Sequence, residues 1–177
     1  YRYRYDYRVE WLGFIEKLDA DAEGSAPIRE RLIQAIAAVL DCPGGALLEP
    51  QEGAAYRKTT RWNWDPIRGF PAQEADTPFV RFLTTGRIVE FDRLRAERQN
   101  LATAGSHGDL SLPDWASQNR SIWLAIPLIH REQLRGILLL ERSIAPRDLN
   151  WEDFDLLRTL GRQSASYLAE ADTMAQL

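Results

Sequence analysis

Few side chains in this sequence could do nucleophilic, acid–base or metal chemistry, and none stands in a pattern that would organise it. Cys42 is the one cysteine, and His107 and His130 are the two histidines. Spread over these positions, thiolate and imidazole have none of the short spacings that hold a metal ion, so no metal site is expected. A lone thiol cannot close an internal disulfide, which fits a reducing, cytoplasmic setting. His107 lies in SHGDL and His130 in IHREQ. A phosphoacceptor box would follow its histidine with an acidic residue, an apolar residue and a proline, and both segments lack that proline. No glycine-rich phosphate loop of the Walker or dinucleotide type occurs, so nucleotide hydrolysis is not expected. No nucleophile, base and orienting group can be assembled, and the reading as a small enzyme has no support.

What remains is a set of rings and guanidinium groups. Tyr56, Arg61, Trp62 and Trp64 fall on one expected strand, Phe79, Arg81 and Phe82 on one expected helix, and Trp115 and Trp123 beside a long irregular stretch. Apolar walls supply burial and an arginine fork fixes orientation, so Tyr56, Arg61, Trp62, Phe79, Arg81, Phe82, Trp115 and Trp123 are the candidate lining for a flat or anionic small molecule. The competing reading is that these rings fill the core, since six tryptophans have to be buried somewhere. No cofactor is expected.

The elements that must position this set follow from periodicity and punctuation. The opening YRYRYDYRVEWLGFIEKL places Trp11, Phe14, Ile15 and Leu18 at helical spacing, which predicts a helix from about Tyr5 to Leu18. Its mix of tyrosine and arginine suits a juxtamembrane stretch, and a solvated leading helix is the alternative. Asp19 to Gly24 reads as a linker. Ser25 and Pro27 open a helix with Ile28, Leu32, Ala35, Ile36 and Val39 on one stripe, ended by the breaker run Asp41-Cys42-Pro43-Gly44.

Strands Ala46 to Glu49 and Tyr56 to Trp64 should pair as an antiparallel hairpin, with Tyr56, Lys58, Thr60, Trp62 and Trp64 on one face and Arg57, Thr59, Arg61 and Asn63 on the other. Asp76-Thr77-Pro78 starts a helix that Gly86 stops, and a strand Arg87 to Asp92 follows. Leu94 to Gln118 predicts a partly helical lid or crossover. Ser121 to Arg142 holds two almost continuous apolar runs, WLAIPLI and GILLLER, joined by the turn HREQ, which marks a central hairpin covered on both faces. Asn150 caps a long helix in which Leu157, Leu160, Ser164, Tyr167, Ala171 and Met174 form a heptad-like seam. That seam suits a helix pair across a dimer axis, and the alternative is a helix that packs on the sheet. The plan is α+β, with a mainly antiparallel central sheet of five to six strands flanked by helices and with long first and last helices.

Composition sets the outer limits. At 177 residues and 45% hydrophobic the chain can close one core, divided here into a leading segment 1–24 and a domain 25–177. A net charge of −4 speaks against nucleic acid as a partner. Only Lys17 and Lys58 among the 22 cations are lysines, a bias that genome composition explains as readily as function. No apolar run approaches the roughly 20 residues that cross a bilayer. A chain that opens on Tyr1 and holds a single methionine, Met174, is expected to be a segment of a longer protein.

The stretch WLAIPLIHREQLRGILLLERSIAPRDLNWEDFDLLRTLGRQSASYLA resembles the C-terminal half of GAF domains, in Pro127-Leu128, the turn around Arg131, Gly136 with Leu138 and Leu140, and Asp153 with Leu156 and Leu157. TPFVRFLTTGRIVEFD is similar to the helix, glycine and strand that precede the crossover in that family. The family often has glycine in the turn where this chain has Glu132-Gln133, which puts the turn type in question. More narrowly, YRYRYDYRVEWLGF with SLPDWASQNRSIWLAIPLIHREQLRG resembles the segment between membrane helices and kinase core in PEP-CTERM system histidine kinases.

The resemblance implies a sensory domain in which helix and crossover close over the sheet to form a ligand cavity. It implies a homodimer, with a downstream kinase core in the same chain. The membrane would be reached only through upstream segments, on the cytoplasmic side of the inner membrane. It departs from relatives with chemistry of their own: Cys42 has no neighbouring histidine for bilin attachment, a single thiol cannot resolve a methionine sulfoxide cycle, and the Asn-Lys-Phe-Asp-Glu signature of cyclic-nucleotide binders is absent. A ligand-free spacer and dimerisation module, its pocket filled by its own side chains, is the second expectation.

Overall fold

The computed structural model describes residues 28–51, 55–64, 70–99, 110–145 and 147–175, together with Gly13. The helix expected over Tyr5 to Leu18, the linker after it and the cap at Ser25 and Pro27 lie outside that set, apart from Gly13. Helix α1 (Ile28–Val39) buries Leu32, Ile33, Ala35, Ile36 and Ala37. It ends where Asp41 turns to φ 56°, with the Cys42 amide donating to the Ala37 carbonyl at 2.8 Å. This left-handed cap is the means by which the breaker run stops the helix.

Strands β1 (Gly45–Pro50) and β2 (Tyr56–Trp62) form the expected hairpin. Thr77 caps helix α2 (Pro78–Thr84), its hydroxyl accepting from the Val80 amide at 3.3 Å, and Gly86 at φ 89° carries the chain away. The strand expected from Arg87 to Asp92 is shorter: β3 is Val89–Glu90, and helix α3 (Phe91–Gln99) begins at once. Phe91 and Leu94, 0% and 2% exposed, are three residues apart on the buried side of that helix. The alternation in RIVEFD is too short to separate a strand end from a helix start.

The short helix α4 (Asp114–Ser117) leads into β4 (Ile122–His130) and β5 (Gln133–Glu141). Arg131 and Glu132, at φ 51° and 65°, turn the β4–β5 hairpin between the paired His130 and Gln133. A two-residue turn with both central φ values positive matches the right-handed twist of the strands, and it answers the question of turn type without a glycine. Helix α5 (Trp151–Ala175) opens with reciprocal bonds: the Asp153 amide donates to Asn150 Oδ1 at 3.0 Å and the Asn150 amide donates to Asp153 Oδ2 at 2.7 Å.

The five strands run in the order β2-β1-β5-β4-β3, antiparallel throughout. Helices α1 and α5 cover one face, packing Ile33, Ile36, Leu157 and Leu160 on Leu47, Leu124, Ile126 and Leu138. Helices α2, α3 and α4 cover the other, packing Phe79, Leu83, Phe91 and Ala116 on Ala46, Leu48, Ala125 and Leu139. Both faces of β4 and β5 are therefore apolar, as their almost continuous runs require.

Two expectations about faces need correction. Leu47 pairs with Thr60 but Leu48 with Lys58, so Thr59 is an extra residue in β2 and the side-chain parity flips across it. Tyr56 and Trp62 consequently lie on opposite faces, and Arg61, paired with Ala46, shares the face of Tyr56. The seam of α5 also has an internal partner. Leu157, Leu160 and Ser164 are each 0% exposed in the core against the sheet, and Tyr167 packs partly buried beside them. Those three positions are not open to a second helix. The side chains of Ala171 and Met174 lie outside the described set.

Candidate functional site

The face under α2, α3 and α4 gathers the rings. Tyr56 is 8% exposed and its hydroxyl donates to the Leu134 carbonyl at 2.8 Å, which ties β2 across to β5. Beyond the positive φ of Asn63, Trp64 turns in and meets Phe70 edge-on at 5.2 Å. Trp115 from α4 contacts Phe70 at 5.9 Å, Phe79 at 5.5 Å and Phe91 at 5.8 Å, all edge-on. Such edge-to-face pairs contribute roughly 0.5–1.5 kcal/mol each beyond area burial. Trp115 is itself only half-buried, so it forms the outer wall of a layer whose inner wall is the sheet.

A polar clamp holds this layer down. Arg95 on α3 donates through Nη1 to Asp92 Oδ1 and to the Ile122 carbonyl, both at 3.0 Å, and through Nη2 to the carbonyls of Ala116 at 3.4 Å and Asn119 at 3.0 Å. Burial lowers the pKa of this guanidinium, and the Asp92 carboxylate opposes that shift. Asp92 also takes Arg142 of the segment after β5, whose Nη2 donates to the Arg120 carbonyl at 2.7 Å. Arg95 thus spans α3, the end of α4 and the start of β4 with one guanidinium.

The eight candidate residues divide. Tyr56, Phe79, Phe82 and Trp115 come together in or against the ring layer. Arg61 and Arg81 are exposed, and Arg87 places its guanidinium 4.3 Å over the Phe82 ring. Trp62 and Trp123 lie on the opposite face, in the layer of α1 and α5. Trp123 is there because Ile122 pairs with Glu141 and Leu124 with Leu140, which makes Trp123 the extra residue of a bulge. Phe70, Phe91 and Arg95 complete the site and carried no signal in the sequence: a lone phenylalanine before a proline, one in a short alternating run, and one of many arginines. Among the described residues no group of three or more His, Cys, Asp or Glu could hold a metal ion, and no helix is long and apolar enough to cross a membrane.

The model of the GAF domain family matches residues 27–168. Among solved structures, the fold is similar to the GAF domain of an Acinetobacter phosphoenolpyruvate-protein phosphotransferase, at 15% identity and TM-score 0.58 over 92% of this chain and 95% of that one. It is similar to a GAF domain assigned to a sensor histidine kinase of Pseudomonas syringae pv. tomato, at 16% identity and TM-score 0.51 over 96% and 91%. It is also similar to the chromophore-binding domain of a Stigmatella aurantiaca bacteriophytochrome, at 14% identity and TM-score 0.63, covering 96% of this chain and 62% of that one. At these identities the likeness is one of fold. No curated protein matches the sequence.

Proposed function

This chain belongs to the GAF domain family, and from that premise we propose that it is the regulatory domain of a membrane-associated two-component histidine kinase, setting autophosphorylation through the packing of α5. GAF domains are sensory and regulatory modules, and the domain is not itself a catalyst. The observation that carries the proposal is the position of β4. Its Ile122 and Ala125 underlie the ring layer, while its Leu124, Ile126 and Leu128 underlie α5. One buried strand is shared by the layer that would sense and the helix that would report.

A signal moves such a system only if it favours one of two packings. A flat ligand entering among Phe70, Phe79, Phe91 and Trp115 would shift β4 by changing what presses on Ala125, and a displacement of upstream membrane helices would act from the other face, through α1. Helix α5 would follow through Leu124, Ile126 and Leu128. The kinase context is supported by the likeness to a sensor-kinase GAF domain and by the narrower resemblance to PEP-CTERM system histidine kinases. Membrane association rests on the aromatic and basic opening of the chain. A homodimer remains part of the proposal, with its contacts on α5 residues outside the buried seam.

A second reading is favoured by one observation. Trp115 already has three ring partners, as a self-filled pocket would, and a spacer domain needs nothing more. The two readings part in one assay: autophosphorylation of the parent protein with and without this domain. Equal rates under every condition sink the regulatory reading and leave the spacer.

A further inference from the structure

Besides the ring layer, the domain carries a second concave region, on the opposite side of the sheet. A cavity of about 400 Å³, open on one side, lies between the first turn of α1, the β1–β2 edge, β5 and the last turn of α5. Four charged groups line it: Arg29, Glu49, Arg135 and Asp172. Three of them are mutually engaged. Arg29 Nε donates to both Glu49 oxygens at 3.0 and 2.9 Å, and its Nη2 donates to Asp172 Oδ1 at 2.9 Å. The Thr59 hydroxyl donates to Glu49 as well.

Arg135 is the exception. Among the described residues no hydrogen bond or ion pair engages it, and its Nε is buried without an acceptor. A guanidinium keeps its charge at any physiological pH, so a half-buried one without an acceptor is costly unless something supplies one. Glu49 and Asp172 are already turned to Arg29, and the four formal charges cancel, so the cavity as a whole does not repel an anion.

The backbone brings a second, independent observation. Leu128 pairs with Gly136 but Ile129 with Leu134, so Arg135 is the extra residue of a bulge in β5. Thr59 is the extra residue of the bulge in β2. Both bulges, on the two strands that flank β1, deliver their extra side chain to this one cavity. Bulges re-aim side chains at the cost of ladder bonds and cluster beside sites. Two of them converging on an unpaired arginine is a built arrangement.

We infer that this cavity binds a small oxyanion, a carboxylate or a phosphate, on the guanidinium of Arg135. The site lies between the first turn of α1 and the last turn of α5, which the Arg29–Asp172 ion pair ties together at its edge. It is distinct from the ring layer and does not depend on a kinase downstream.

The test is thermal unfolding of the 177-residue chain with inorganic phosphate, with succinate, and with chloride at matched ionic strength, on wild type, Arg135→Gln and Arg135→Lys. One oxyanion should raise Tm by about 5–10 °C at about 100 times its Kd, with chloride inert. Arg135→Gln should lose the shift and Arg135→Lys keep only part of it. Which of phosphate and succinate acts identifies the source of the oxyanion. No shift with either, or an equal shift in Arg135→Gln, overturns the inference. Should Arg135→Gln fail to fold, an amide-resolved titration of wild type decides: shifts at Thr59, Arg135 and Asp172 uphold the site, and shifts elsewhere or none overturn it.

Discussion

Gly161 of α5 lies so close to the Pro127 carbonyl oxygen of β4 that a Cβ at this position would stand 2.7 Å from it. Helix and strand meet backbone to backbone at this point, which lets Leu157, Leu160 and Leu168 reach the sheet around it. In a solvated helix Gly→Ala stabilises by roughly 0.5–1 kcal/mol. Here the collision is with backbone, which cannot swing aside. Gly161→Ala is therefore expected to destabilise by about 1–3 kcal/mol, as overpacked cores do. Urea unfolding checks it, and a raised midpoint contradicts it.

Trp115→Ala removes three ring contacts from a half-buried side chain. The expected cost is about 2–3 kcal/mol, below the roughly 3–5 kcal/mol of a fully buried ring. The space left is walled by Phe70, Phe79 and Phe91, so indole should restore Tm in the variant and leave wild type unmoved. A variant with unchanged Tm would mean that the ring layer contributes nothing.

At the tip of the β4–β5 hairpin, Glu132 holds φ 65° and its side chain is exposed. Glu132→Gly relieves a conformation that costs an L-residue about 1–2 kcal/mol and gives back part of that in unfolded-state entropy. A net gain of about 0.5–1 kcal/mol is expected from thermal unfolding. A loss would show that the turn is held by more than its backbone.

The Cys42 thiol is 5% exposed, and burial, with smaller contributions from the charges of Asp41 and Glu141, pushes its pKa up to about 12 from an ordinary 9.0. The folded state then holds its proton where the unfolded state releases it. The contribution to stability is complete below about pH 9 and is lost as pH rises toward 12. Cys42→Ala should flatten the fall in stability over that window. In the wild type at pH 8, thiol labelling should proceed only at the rate of unfolding. Fast labelling of the folded chain would place the thiol at the surface.

The architecture was legible because the strongest signals were core signals: the double apolar run of β4 and β5, the caps at Thr77 and Asn150, the breaker after α1. The site was legible only in part, for a geometrical reason. Face assignments along a strand assume an unbroken period of two, and single extra residues at Thr59, Trp123 and Arg135 break it. An unbroken period puts Trp62 on the face of Tyr56 and hides the cavity at Arg135, while Trp123, a candidate because it adjoins the crossover, is turned to the other face by its bulge. The heptad-like seam had a similar ambiguity, since Leu157, Leu160 and Ser164 recur as readily for a sheet as for a partner helix.

In the proposed function the state of the ring layer sets kinase output through β4 and α5. The most direct test is the initial autophosphorylation rate of the parent protein carrying Trp115→Ala, measured with and without indole beside wild type. The rate is expected to change several-fold from wild type and to return toward it with indole. A rate equal to wild type under both conditions, with the variant folded, would contradict it and leave the domain a spacer.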